Sequence, residues 1–584
     1  MKQFLKYTLA SMLGVIVAFT LLFLILLGIG SSLSQSDTAV QIQENSVLKI
    51  TLNGAILEQS VDNPFNFNIP GIPMDTRNLS QGLDDLMGSI DKASKNPNIK
   101  GIYLECGVLE TGWSTAEEIR NALLRFKKTG KFILAYGELV DQKEYFICSV
   151  ADSIFLNPEG MINFAGLAAT PRFYKETLDK IGVKVEVFKV GTFKSAVEPY
   201  INTKMSDANK LQTQSYLDGM WAHVLNQVSK SRKISVAVLQ NLADSNMLFE
   251  SATNLVNYNL ADSLMYETEM IQYLNNKAGV EKDKEAQLLS PSDVMKAISN
   301  ESVESEKIAI LYAEGEIFDS GTEGIVAKEL IKDIEKIRKD SLVKSVVFRV
   351  NSPGGSAYAS EQIWKAISDL KKIKPVVVSM GDYAASGGYY ISSGASKIVA
   401  SPNTLTGSIG IFGMYFIMDE LAEKVGLHFD VVKTNDMSDF GNLTRPMTAL
   451  EKQKIQNYVN RGYDLFIKRC ADGRALKDAD IRKIAEGRVW TGKQALENGL
   501  VDEIGGLDKA IAIASKLGKV EKYRLVGYPE KKDFMTILME EMSGDTQLRF
   551  AKWILGEEFA PLLKLKQAKM QTGIVAKMAP MDIN

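Results

Sequence analysis

Residues 343–357 read VKSVVFRVNSPGGSA, and residues 99–113 read IKGIYLECGVLETGW. Each opens as a short apolar run with the look of a buried strand. The two runs are 244 positions apart, and that spacing persists without a gap. It pairs Ile119 with Ile363, Lys127 with Lys371, Gly137 with Gly381, Tyr145 with Tyr389, Gly166 with Gly410 and Lys189 with Lys433. Upstream, Gly54 matches Gly315 at a spacing of 261, so the first copy carries 17 extra residues in or near VDNPFNFNIPGIPMDTRN, residues 61–78. The chain reads as one fold repeated in tandem, with the copies meeting near the polar stretch SNESVESEK, residues 299–307.

Within the second copy, KIAILYAEG reads as a strand. SGTEGIVAKELIKDIEKIRKD has helical spacing through Ile325, Leu330, Ile334 and Ile337. VKSVVFRV is a strand that enters a Pro-Gly-Gly turn, SAYASEQIWKAISDLKKIK is helical, and PVVVSM is a further strand ending at Gly381. This alternation predicts an α/β fold with largely parallel sheets. Ligand sites in such sheets gather at the carboxyl ends of strands. Both NSPGG (351–355) and GDYAASGG (381–388) fall there.

The 584 residues are 45% hydrophobic and 24% charged, an ordinary globular balance long enough for more than one domain. A net charge of -3 with mixed signs offers no nucleic-acid surface. Cys106, Cys148 and Cys470 are too few for a disulfide framework and read as buried free thiols. No metal, ATP or nucleotide motif is present, so no cofactor is expected. At the N-terminus, Lys2 and Lys6 precede 23 mostly apolar residues, Tyr7 to Ile29. About 20 such residues cross a bilayer, and lysines before them keep the N-terminus in the cytoplasm. The expectation is an uncleaved, single-pass signal-anchor over residues 1–33, with the rest of the chain extracytoplasmic. A cleaved signal peptide is the other reading, since small residues follow at 28–32.

Glycines in SPGG allow backbone N–H groups to converge on a developing oxyanion. AASGGYY then supplies a hydroxyl, Ser386, at a strand-to-helix turn, with the Gly387 N–H beside it. The same residues also read as a plain turn and a close helix–sheet contact. The spacing of 244 puts Gln142 at the position of Ser386, and GVLET (107–111) at that of NSPGG, so the first copy lacks this chemistry. Only two histidines exist, His223 and His428, and neither lies in a Gly-rich strand-end turn. A desolvated lysine is the next candidate base, but the pattern alone does not choose one.

RVNSPGGSA, MGDYAASGGYYIS, TLTGSIG, KVGTFKSAVEPY and GRVWTGKQALENGLVDEIGGLDKAI together resemble the signal peptide peptidase A (protease IV) family in its long bacterial form. The resemblance spans nearly the whole chain. It implies tandem ClpP/crotonase-like domains and a serine–lysine dyad, here Ser386 with Lys194. It implies Gly355 and Gly387 as oxyanion donors, and Ser408 as a residue that holds the lysine amine. Lys194 corresponds to Ser438 in the second copy, so each copy lacks what the other carries. The expected organisation is a first repeat over 34–300 supplying the lysine, a second over 301–545 supplying the serine, and a tail over 546–584. The resemblance further implies a serine endopeptidase in the inner (cytoplasmic) membrane, facing the periplasm. Its substrates would be cleaved signal peptides and other apolar peptides, its surroundings the lipid bilayer, and its assembly a homotetramer. Two other readings stand beside it: a crotonase-like acyl-thioester enzyme, and a catalytically idle membrane scaffold.

Overall fold

The computed structural model describes residues 40–60, 81–297, 304–321, 324–531 and 573–579, with ten scattered residues between 3 and 21. Most of the predicted anchor, the 61–78 insertion and most of the tail lie outside the described residues. Among the described residues no helix is long and apolar enough to cross a membrane.

Each repeat is built on one largely parallel sheet. In the first, strands Ser46–Leu57, Ile99–Glu110, Phe132–Val140 and Ser153–Ile162 lie side by side in parallel. In the second, Lys307–Glu314, Val343–Ser352 and Val376–Ala385 repeat that order. The apolar runs are continuous because both sheet faces are covered. Val346, Phe348 and Val350 pack under helix Ala357–Lys371, through Ile363, Ile367 and Leu370. On the opposite face, Val347 and Val377 meet Ala510 and Ala514 of helix Leu507–Gly518.

Two boundaries differ from the expectation. Ile325 belongs to a two-residue strand, Ile325–Val326, and the helix starts at Ala327. The predicted strand PVVVSM continues past Gly381 to Ala385, so it delivers Ser386 directly from its end. A third sheet was not anticipated from the pattern. Its order is Ile325–Val326, Ile317–Phe318, Gly354–Ser356, Gly573–Lys577, Phe412–Ile417, Lys184–Lys189. It draws strands from both repeats and from the C-terminal segment. The last three neighbour pairs are antiparallel.

The repeats are tied together by buried charge. Arg349, fully buried, lies 2.7 Å from Glu58 and 2.7 Å from Glu118, both of the first repeat. Asp382 accepts hydrogen bonds from the Ser114 and Thr115 amides and from the Thr115 hydroxyl, at 2.8, 3.0 and 2.7 Å. It thus caps helix Trp113–Lys127 from the other repeat.

Candidate active site

Ser386 sits between the Val376–Ala385 strand and helix Gly387–Ser392, with φ 55° and ψ -113°. A non-glycine residue at positive φ costs of order 1–3 kcal/mol and persists only where its surroundings hold it. Its amide donates to the Gly407 carbonyl at 2.8 Å, and its own carbonyl accepts from the Tyr390 amide at 2.8 Å. The sharp turn carries the hydroxyl away from both strand and helix, as in a nucleophile elbow.

Lys194 reaches this hydroxyl from the first repeat. Its Nζ stands 2.7 Å from Ser386 Oγ, 3.0 Å from the Ser408 carbonyl oxygen and 3.1 Å from Ser408 Oγ. Nζ donates to Ser386 Oγ as it does to both Ser408 oxygens, and the Ser386 hydroxyl faces the Gly410 carbonyl at 3.4 Å; deprotonated, the amine would keep two N–H groups for Ser408 and turn its lone pair to that hydroxyl. The residue is 1% exposed, and among the described residues no carboxylate pairs with it. Burial pushes its pKa well below the usual 10.5.

The lysine is held by residues that the sequence did not single out. Gly487 has φ +79°, and a Cβ there would lie 2.7 Å from the Lys194 backbone. The Phe193 amide donates to the Glu486 carbonyl at 2.9 Å. Gln212 Nε2 donates to the Phe193 carbonyl and to Ser195 Oγ, while its Oε1 accepts from the Val489 amide. These bonds fasten the segment on both sides of Lys194. Their only trace in the sequence is GRVW at 487–490, where a glycine's need for positive φ is invisible without the fold.

The SPGG loop lies against the same turn. Gly354 has φ +100°, and a Cβ on it would collide with the Ala576 carbonyl and come within 2.7 Å of the Gly387 nitrogen. Gly354 therefore lies directly against Gly387, the residue after Ser386. Of the five expected residues, Lys194, Ser386 and Ser408 are joined by hydrogen bonds, Gly387 follows the serine directly, and Gly355 is the neighbour of Gly354 in the loop. The histidines lie elsewhere. His428 is exposed, and His223 pairs with Glu117 at 3.0 Å in the first repeat.

In the first repeat, Gln142 occupies the counterpart of Ser386. Its Oε1 accepts from the Ala165 and Gly166 amides at 2.9 Å each, so its side chain braces the loop. Cys148 is buried and Cys106 is half-buried. Their sulfurs are 3.5 Å apart, and both are free thiols. Among the described residues no cluster of His, Cys, Asp and Glu is arranged to hold a metal ion.

The family model of peptidase family S49 matches residues 125–281 and 368–521. The two matched stretches start 243 positions apart, in step with the repeat. Protease 4 of Salmonella typhi is 34% identical over 93% of this chain and 90% of its own. Protease 4 of Haemophilus influenzae is 34% identical over 83% and 81%. The chloroplastic serine protease SPPA of Arabidopsis thaliana is 31% identical over 86% and 74%. A solved ClpP1 mutant from Listeria monocytogenes aligns with 35% of this chain and 94% of its own, at 17% identity and a TM-score of 0.24, too slight a likeness to bear on the fold. On the family match and the near full-length relatives, this chain belongs to peptidase family S49 and is a serine peptidase.

Proposed function

We propose that the peptidase works through a Ser386–Lys194 dyad and degrades cleaved signal peptides at the membrane. The observation that carries this reading is the 2.7 Å approach of Lys194 Nζ to Ser386 Oγ in a buried, carboxylate-free pocket. Neutral Lys194 takes the hydroxyl proton as Oγ attacks the peptide carbonyl carbon. The Gly355 and Gly387 N–H groups stabilise the oxyanion. Lys194 then passes its proton to the leaving amine, and water hydrolyses the acyl-enzyme. Ser408, accepting two bonds from the amine, is a positioning residue.

The tethering helix over residues 1–33 keeps the enzyme in the inner membrane with its catalytic repeats on the periplasmic side, next to the apolar peptides left in the bilayer. The architecture is ClpP/crotonase-like in each repeat, and the chain assembles as a homotetramer. An exposed apolar strip supports the assembly. Leu427, Phe429 and Val432 are 57, 57 and 99% exposed. Their first-repeat counterparts include Val183 and Phe188, which are 3 and 7% exposed. Strips of this kind on soluble faces mark contacts with another chain, and a second copy carries the same repeat geometry to receive it. The acyl-thioester and idle-scaffold readings gain nothing from a peptidase family.

Covalent labelling of the purified chain by a fluorophosphonate tests the dyad. The expected result is labelling of Ser386 that disappears in Lys194→Ala. Undiminished labelling of that variant rules out the lysine as base.

A further inference from the structure

The first repeat has a cleft of its own. The spacing of 244 maps Ser386 and Gly387 onto Gln142 and Lys143, and Gly354–Ser356 onto residues 110–112. These first-repeat residues all line one cleft of about 1030 Å³, just above the usual span of ligand sites, about 300–1,000 Å³. Asp382, Tyr383, Asn403 and Leu405 close it from the second repeat.

The frame of this cleft fits an extended chain. In the second repeat the strand Gly573–Lys577 is held between two edges, Gly354–Ser356 and Phe412–Ile417. Their first-repeat counterparts are residues 110–112 and 168–173. Glu110, Thr111 and Gly112 line the cleft on one side, and Ala168 lines it from the other edge.

Its wall carries hydrogen-bonding groups that the chain leaves unused. Asn403 and Trp113 are 2 and 4% exposed, yet the Asn403 carboxamide and the Trp113 indole N–H have no hydrogen-bond partner among the described residues. The Thr111 hydroxyl has none either. Buried polar groups as a rule find partners. A carboxamide offers a donor and an acceptor, the complement of a peptide unit's C=O and N–H. Leu167, Met220 and Leu405 add apolar wall for the side chains of a guest.

The groups that would cut are replaced. Gln142 Oε1 is already taken by the Ala165 and Gly166 amides. A Cβ on Gly410 would stand 3.3 Å from Lys194, whereas one on its counterpart Gly166 would meet nothing within 4 Å. Among the described residues no amine stands where the base stands in the second repeat.

We propose that this cleft is a second peptide-binding site, which holds an apolar peptide as an added strand without cutting it. It rests on the apolar-peptide substrate class proposed above and gives the chain two grips on one substrate, one of them hydrolytic.

Photo-crosslinking tests this on the purified full chain carrying Ser386→Ala. The probe is a decapeptide of leucine and alanine bearing a diazirine, and mass spectrometry maps where it attaches. Attachment is expected within residues 109–113 or 163–168. Ala168→Trp, which fills the exposed rim, should abolish it. Asn403→Leu should weaken it about 10-fold, the scale of one or two lost hydrogen bonds, with no fall in Tm, because the carboxamide has no partner in the chain to lose. No attachment at these residues, or attachment that Ala168→Trp leaves unchanged, overturns the site. A parent chain that takes no peptide there, and whose Ala168→Trp form sediments as a smaller assembly, gives the cleft to a second copy instead. Fluorophosphonate labelling of Ser386 in the wild type reads the dyad separately, so attachment without labelling keeps this site and removes the dyad.

Discussion

Lys194 Nζ and Ser386 Oγ are 2.7 Å apart, although 192 positions and a domain boundary separate them in the chain. This contact, the proposed dyad, exists only when the two repeats are docked. Ser386→Ala and Lys194→Met should each lower kcat by at least about 10³-fold, the usual scale for removing a nucleophile or its base. Lys194→Arg should not restore activity, because a guanidinium stays protonated. Steady-state kinetics on an apolar peptide reporter checks both.

The pH profile follows from the buried amine. Only neutral Lys194 accepts a proton, so kcat/KM should rise with pH as the amine deprotonates. Because burial holds its pKa well below 10.5, the plateau should be reached well below that pH. A profile still climbing at pH 10 would contradict a desolvated base. Ser408→Ala, which removes one of two acceptors from the amine, should reduce kcat by about 10-fold with little change in KM.

The same burial has a thermodynamic sign. The folded-state pKa is depressed, so below pH 10.5 the unfolded chain binds a proton that the folded chain does not. Stability therefore falls as pH drops from 10.5 toward the folded pKa. Lys194→Met removes that penalty, and its Tm at neutral pH should exceed the wild type's even though activity is lost. A lower Tm would show that the amine's bonds outweigh its desolvation.

Arg349 is the buried cation between Glu58 and Glu118. Arg349→Met leaves two carboxylates without a counter-charge, and breaking such a pair costs about 3–5 kcal/mol. Burial already raises the Glu118 pKa, an effect Arg349 partly offsets, so the loss should shrink as pH falls and the carboxyls protonate. Denaturant unfolding at two pH values measures this, and activity should fall in parallel as the repeats separate.

Phe429→Asp combined with Val432→Asp places charge in the exposed strip. Sedimentation of the detergent-solubilised chain should shift toward the monomer, while fluorophosphonate labelling of Ser386 persists. An unchanged sedimentation coefficient would remove this strip from the assembly.

Much of this was legible before any coordinates. The spacing of 244 exposed the duplication, because buried strands and their turn glycines keep their positions when side chains drift. The apolar runs KIAILYAEG, VKSVVFRV and PVVVSM placed three strands, two of which run on to Ser352 and Ala385 in the structure, since a sheet covered on both faces demands continuous hydrophobic stretches. Ser386 stood out by its small neighbours, and Lys194 by family resemblance. Missed were Gly487 and Gln212, which position the lysine, and Asp382, which joins the repeats. Each acts on a residue hundreds of positions away or through a backbone angle, and neither leaves a local pattern.

By itself the sequence determined the repeated α/β fold and that Ser386 and Lys194 each lack a counterpart in the other copy, for both are matters of periodicity and identity. Only the tertiary structure decided that the two retained groups meet, that the amine lies buried without a charged partner among the described residues, and that the C-terminal strand pairs with the SPGG loop. Those are facts of distance and desolvation, set by how two sheets pack, and no spacing along the chain encodes them.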